Sequence, residues 1–282
     1  MFNLIVEDKN KNQLYLTGNP AYVITNIDGF DPPEATINTS KNAGADGSLF
    51  NSAYANERQI TITMVINAPV EQNRINLYKW FKTKFPVKLT YETESRNVYI
   101  EGFVQSIQIG YFEKKQTAQI VVLCPKPYLN GSEINEQIFS NIDPLFEFPF
   151  SIPAEGVPFS EVLLYVEKSI LNYGDIVTGV LIKINALGTI ENPKIYNVET
   201  REHMILNTNL LRGDVVEINT RFGEKSITLI RDGVESSIVG SLEDGSTWFQ
   251  LEVGDNVFTL NADSGVENMF VSFTVIDQYE GV

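Results

Sequence analysis

From Arg58 to Asn67, apolar and polar residues alternate: Ile60, Ile62, Met64 and Ile66 fall on one side, and Gln59, Thr61 and Thr63 on the other. A period of two predicts a half-buried β-strand. Similar runs predict strands at Asn3–Glu7, Gln13–Thr17, Ala21–Ile27, Glu34–Thr39, Val87–Glu92, Asn97–Gly110 and Gln116–Leu123. One segment changes period. Across Val70–Phe85, Leu77, Phe81 and Phe85 recur every fourth residue, flanked by Ile75, Tyr78 and Trp80, while Arg74, Lys79, Lys82 and Lys84 take the other side. This spacing predicts an amphipathic helix with Pro69 near its first turn and Pro86 as its stop. Asn97–Gly110 is long for one strand. Gly102 in its middle predicts a bulge or bend where the strand passes from one sheet to another.

Turn chemistry divides the rest. Asp28-Gly29-Phe30-Asp31-Pro32-Pro33 forbids helix, and a second glycine turn follows at Ala45-Asp46-Gly47-Ser48. The Thr36–Tyr54 segment around that second turn is polar and rich in small residues apart from Leu49, Phe50 and Tyr54. It has too few apolar residues to build a core of its own. Pro125-Lys126-Pro127 and Asn130-Gly131-Ser132 mark the end of a first domain at 1–130. Residues 131–159 carry Pro144, Pro149, Pro153 and Pro158 and are expected to lie across a sheet edge or bridge the domains.

A second domain, 160–282, shows no helical period. Short strands are expected at Glu161–Glu167, Val177–Asn185, Lys194–Asn197, Met204–Asn207, Asp214–Thr220, Ser226–Arg231, Trp248–Leu251, Val257–Leu260 and Met269–Ile276. Glycine turns separate many of them, which predicts a second β-sandwich.

Charge separates the halves further. Residues 1–130 carry 13 Lys and Arg against 12 Asp and Glu, whereas residues 131–282 carry 8 against 24. So acidic a half repels nucleic-acid phosphate, which argues against sequence-specific nucleic-acid binding. The start of the chain lacks a basic, then apolar, leader, and no apolar run reaches eighteen residues, so neither a signal peptide nor a membrane span is expected.

Chemistry is sparse. Cys124 is the single cysteine and ends an apolar run, as a buried, inert thiol would. His203 is the single histidine and reads as a surface residue. Glu243 and Asp244 near Trp248 could pair two carboxylates with a sugar-stacking ring. The same residues read more simply as a turn, Glu243-Asp244-Gly245-Ser246, with Trp248 alternating into the core beside Gln250. Asp8-Lys9-Asn10-Lys11-Asn12 alternates oxygen ligands superficially, but lysines intervene and no bidentate Glu follows. No glycine loop that could cradle phosphate precedes a helix. The expectation is therefore no catalytic residue, no cofactor and no metal.

The order Asp28-Gly29 to Pro32-Pro33, then Asp46-Gly47-Ser48 and Phe50, then Arg58, Ile60 and Ile62 resembles the N-terminal domain of siphophage distal tail proteins. Asn192-Pro193-Lys194-Ile195, the run Gly213–Thr220, Ser226–Leu229, Ser246–Leu251, Gly254-Asp255-Asn256 and Gly281-Val282 resemble the C-terminal domain of the same family. The resemblance implies a mainly β fold of two β-sandwich domains. The first would carry one amphipathic helix and an extended β-hairpin arm, and the second would be galectin-like, akin to carbohydrate-binding modules. It implies a structural protein, made in the bacterial host cytoplasm and placed at the virion tail tip, forming a homo-hexameric ring hub. Its partners would be copies of itself, the tail tube protein, a lysin-like tail-associated tip protein and a receptor-binding protein. The inter-subunit arm would use Thr36, Leu49, Phe50, Tyr54 and Arg58. The alternative is a carbohydrate-binding module or a component of a host-cell-wall adhesin, with a glycosidase as a further reading.

Overall fold

The computed structural model describes residues 2–42, 44, 46–111, 114–140, 142–144, 160–162 and 167–282. The protein is mainly β and divides into two compact units, Met1–Glu133 with Gln278–Val282, and Ile134–Asp277.

The first unit begins with β1 (Asn3–Asp8), β2 (Gln13–Tyr15), β3 (Tyr22–Asp28), β4 (Ala35–Ser40), β5 (Leu49–Ala55) and β6 (Arg58–Ile66). The helix α1 (Val70–Trp80) follows, then β7 (Pro86–Glu92), β8 (Asn97–Ile109), β9 (Thr117–Cys124) and β10 (Leu129–Gly131). Except for β4 and β5, these strands join one antiparallel sheet in the order β2-β1-β7-β8-β9-β6-β3, with β10 beside β8. In β6 the alternation appears as read, with Ile60, Ile62 and Met64 fully buried. They meet Leu4, Val6, Leu89, Ile120 and Val122 in one core. Each such side chain taken out of water contributes about 1.5–3 kcal/mol.

Two details of this unit differ from the sequence expectation. The helix stops at Trp80, because Phe81 leaves helical geometry while its N–H still bonds the Leu77 carbonyl at 2.8 Å. Leu77 and Phe81 are buried, whereas Phe85 is exposed and leads straight into Pro86 of β7. Proline biases the residue before it towards extended backbone, so the turn must be completed earlier. The irregularity of β8 lies at Gln105, where its register against β9 shifts between Val104 and Ser106, and not at Gly102. Gly102 answers a space requirement instead: a Cβ there would sit 2.7 Å from both the Cys124 Sγ and the Leu123 carbonyl oxygen. β8 does change partners, pairing with β7 through Asn97–Phe103 and with β9 through Phe103–Ile109.

The second unit continues with β11 (Asn135–Ser140), β12 (Ile142–Pro144), β13 (Ser160–Val162), β14 (Glu167–Asn172), β15 (Thr178–Ala186), β16 (Ile190–Glu191) and β17 (Lys194–Asn197). Then come β18 (His203–Ile205), β19 (Asn209–Leu210), β20 (Val215–Asn219), β21 (Ser226–Arg231), β22 (Val234–Ser237), β23 (Gln250–Leu251), β24 (Gly254–Asn261) and β25 (Met269–Val275). A large sheet runs β11-β25-β15-β20-β21-β22, with β23 on β15, and a smaller one runs β14-β24-β17-β18. Both feed one core. Ile182 and Phe273 come from the large sheet and Ile195 and Phe258 from the small one, with the Phe258 and Phe273 rings 5.1 Å apart. This is the sandwich expected from the glycine-punctuated pattern.

The chain then crosses back. β26 (Gln278–Tyr279) pairs with β10, Leu129 opposite Tyr279 and Asn130 opposite Gln278, so residues 278–282 lie in the first unit and not in the second. At the other boundary, Asn135–Ser140 pairs along its whole length with β25 as an edge strand of the second unit. Of the proline-rich stretch, Pro144 falls in β12, while Pro149, Pro153 and Pro158 lie outside the described residues. The strand expected at Glu161–Glu167 falls there in part, since residues 163–166 are also outside them.

Candidate assembly interface

β4 and β5 form a two-stranded hairpin that pairs with no other described strand. Ala35 stands opposite Ala55, Thr36 opposite Tyr54, Ile37 opposite Ala53, and Asn38 opposite Ser52. A bulge after Asn38 then brings Thr39 opposite Phe50 and Ser40 opposite Leu49. Opposed residues share a face. One face is therefore Ala35, Ile37, Thr39, Phe50, Ala53 and Ala55, apolar but for one threonine. The other mixes Leu49 and Tyr54 with Thr36, Asn38, Ser40 and Ser52. Its polar side chains bond among themselves: Asn38 Nδ2 donates to Ser52 Oγ at 3.0 Å, and Thr36 Oγ1 to Asn56 Oδ1 at 2.8 Å.

This hairpin is open to solvent. Ile37 is 63% and Phe50 67% exposed, and Leu49 and Tyr54 are more than half exposed. Its glycine turn places Gly44 and Gly47 at φ +85° and +89° with open space around each. Between Ala35 and Ala55 the only charged residues are Lys41 and Asp46. A lone two-stranded ribbon is at best marginal in water, and this one presents an uncharged apolar face and two unpaired edges. Those are the properties of a segment that completes itself against another surface.

The structure brings together Thr36, Leu49, Phe50 and Tyr54 of the residues expected in the arm. Arg58 is the exception and needs correction: it is buried at the start of β6. Its guanidinium donates to four backbone carbonyls, Nε to Pro127 at 2.6 Å, Nη1 to Gly29 and Asp31 at 2.7 Å each, and Nη2 to Glu280 at 2.6 Å. Buried, and with four of its five N–H donors bonded to main chain of its own unit, it sits at the root of the arm and not among the arm's exposed residues. Ile37 is the residue the sequence reading missed, a single isoleucine among threonines and asparagines. Its signal was the phase of the hairpin, which puts it on the face of Phe50.

The other singled-out residues do local work. Asp8 accepts from the backbone N–H groups of Asn10 and Asn12 and from the Asn12 amide, which lowers its pKa and closes a turn. His203 is partly exposed on β18, its ring 6.1 Å from that of Tyr196. Cys124 is fully buried, and burial pushes its thiol up to about 12. Glu243 is part of a turn closed by the Ser246 N–H, with Gly245 at φ +90°. Beyond it, Phe249 and Leu251 enter the core, whereas Trp248, expected there, is only partly buried, with the Lys225 ammonium 5.6 Å from its ring centre. The register is one residue off the expected one, and the indole is not an open floor for a sugar. Among the described residues, no group of three or more His, Cys, Asp or Glu is placed to hold a metal ion. Nor is any described helix long and apolar enough to cross a membrane.

Residues 9–124 match the family described as phage tail protein RIFT-related domain. Residues 173–276 match the family described as siphovirus-type tail component, C-terminal domain. No curated protein matches the chain in sequence. In fold, the chain is similar to the SPP1 Dit (gp 19.1) protein, described as a paradigm of hub adsorption apparatus in Gram-positive infecting phages. That match has a TM-score of 0.71 at 11% identity and covers 99% of each chain. The fold is also similar to chains of the phage P2 baseplate in its activated conformation, with TM-scores of 0.56 for the Ca form and 0.53 for the Sr form. Both are 11% identical over 100% of each chain.

Proposed function

Because the chain belongs to the siphovirus-type tail component family, we propose that it is the hub of a phage tail tip, assembling as a closed hexameric ring between the tail tube and the tip proteins. It is a structural tail protein of the virion and not an enzyme. The observation that carries the assembly reading is the hairpin of β4 and β5, with Ile37 and Phe50 exposed on one uncharged face. A segment of one copy docking on a different surface of the next makes a head-to-tail contact, and such contacts close into a ring when their rotation allows it. Main-chain groups on the free edges of the hairpin would pair across that contact, and the apolar face would supply burial.

The second domain supports contacts of another kind. With 8 basic against 22 acidic residues in Ile134–Asp277, it disfavours close packing on copies of itself. It is the domain we assign to outward partners, a lysin-like tip protein or a receptor-binding protein. Phe222, 90% exposed between β20 and β21, is the most exposed large apolar side chain among its described residues and the anchor we assign to such a contact.

The mass of the purified protein in solution tests the ring, with and without the tail tube protein. A chain whose Thr36–Tyr54 segment is replaced by a short glycine linker should remain folded and monomeric. If it assembles as the intact chain does, the arm is not the contact. If its first domain unfolds instead, the hairpin belongs to that domain's own structure.

A further inference from the structure

We propose that residues 278–282 act as a strap that fixes the root of the β4–β5 arm, with Arg58 as its clasp and Arg96 as its second anchor. This inference rests on the arm being the contact between copies. The arm leaves the first domain through Gly29–Glu34. That root is fixed in part by the Phe30 ring packed on Tyr91, by Gly29 against the Gln59 carbonyl and by the Asn56 N–H bond to the Glu34 carbonyl, and otherwise by the strap and the side chain that holds it. Arg58 binds the Gly29 and Asp31 carbonyls with one nitrogen and the Glu280 carbonyl with another. Val282 N–H donates to the Phe30 carbonyl at 3.3 Å. Gly281 lies so close to the root that a Cβ on it would stand 3.1 Å from Pro32 Cδ and 3.2 Å from the Phe30 carbonyl oxygen. Arg96 Nη1 donates to the Gly281 carbonyl at 2.5 Å, and its guanidinium lies 4.5 Å from the Tyr279 ring centre. Strand β26, paired with β10, ties the other end of the strap to the sheet.

The mechanical consequence follows from the prolines. Pro32 and Pro33 have fixed φ, so the direction of the backbone at Asp31 carries through to Ala35 with little freedom. Whatever holds Gly29–Asp31 therefore aims the first leg of the hairpin, while the second leg joins β6 through Asn56 and Glu57. Removing the strap takes one carbonyl from Arg58, one donor from Phe30 and the packing surface from Pro32 together. The arm keeps its own cross-strand bonds and its join to β6, but the leg that leaves through Pro32 and Pro33 loses its constraint and the direction of the arm broadens. A ring contact needs that direction defined before two copies meet, since ordering it on contact costs binding free energy.

Spin labels at Ser48→Cys in the hairpin turn and Lys79→Cys on α1 report the direction of the arm. The measurement uses the full chain with Ile37→Ser and Phe50→Ser, so that assembly does not contribute. The strap is perturbed in two ways, by Gly281→Val, which crowds the root while leaving Tyr279 in place, and by ending the chain after Asp277. The native strap should give one narrow distance distribution and each perturbation a broad one. With Ile37 and Phe50 intact, Gly281→Val should also lose the assembled mass. An unchanged distribution in the folded Gly281→Val protein overturns the strap. A broadened distribution with the assembled mass retained upholds the strap and overturns the arm as the contact between copies.

Discussion

Asp214 and Arg231 meet in a forked ion pair at one end of the large sheet of the second domain. Arg231 Nε lies 2.9 Å from Oδ1 and Nη2 2.5 Å from Oδ2 of a carboxylate that is almost wholly buried. Leu211 N–H adds a third bond to Oδ2 at 2.7 Å. The hydrogen bonds from Arg231, opposed by desolvation, hold the Asp214 pKa below its ordinary value. A group whose pKa is lowered in the folded state stabilises that state fully above its unfolded pKa, ~3.9, and the contribution fades as pH falls through the folded value. Asp214→Asn should therefore cost the second domain about 1–3 kcal/mol at neutral pH. Thermal unfolding followed from pH 7 into the acid range should show the gap between variant and native closing only below the ordinary carboxylate pKa. A gap independent of pH would assign the loss to packing.

Replacing Ile37 and Phe50 together by serine should abolish assembly while changing the stability of the monomer by less than about 0.5 kcal/mol, as for exposed positions generally. Sedimentation reads the first quantity and calorimetry the second. Retention of the assembled mass would place the contact elsewhere.

Gly29 has φ +98°, and a Cβ on it would stand 2.1 Å from the Gln59 carbonyl oxygen. Gly29→Ala should destabilise the first domain by more than about 3 kcal/mol, because strain and overlap act together on backbone that cannot move aside. Gly18, at φ +70° with nothing within 4 Å, is the control. Its alanine variant should cost about 1 kcal/mol. Equal losses at the two sites in denaturant titrations would refute the overlap argument.

Cys124, buried between Gly102 and the start of β6 with its thiol pKa near 12, should resist thiol reagents at pH 8 in the native protein and react at once in denaturant. Labelling within minutes under native conditions would mean that β8 and β9 separate far more readily than their core packing implies.

What could be read in advance divides along physical lines. The period-two run of β6 and the glycine-punctuated strands of the second domain were legible because alternation and turn chemistry are local. The helix was legible at its start and overextended at its end, since Phe85 keeps the four-residue spacing although Pro86 forces the turn before it. Strand Glu167–Asn172 escaped because Glu167, Lys168 and Ser169 mask the apolar Ile170 and Leu171. Arg58 was misread for a stronger reason. A single arginine opening a strand looks like a surface charge, and the four carbonyls that accept from it come from main chain at residues 29, 31, 127 and 280, which no side-chain pattern advertises. Within the arm, Leu49, Phe50 and Tyr54 stood out by composition. Ile37 needed the register.

The pairing of Asn130 with Gln278 makes the second domain an insertion. Its chain leaves and re-enters the first domain at adjacent positions of one short ladder, so in connectivity the domain is a cassette inserted between two neighbouring strands. An insert attached this way can be enlarged, exchanged or deleted without altering the register of β10 and β26. The two units are thereby free to diversify at different rates, and a lineage can acquire a new inserted domain while inheriting the first unit unchanged.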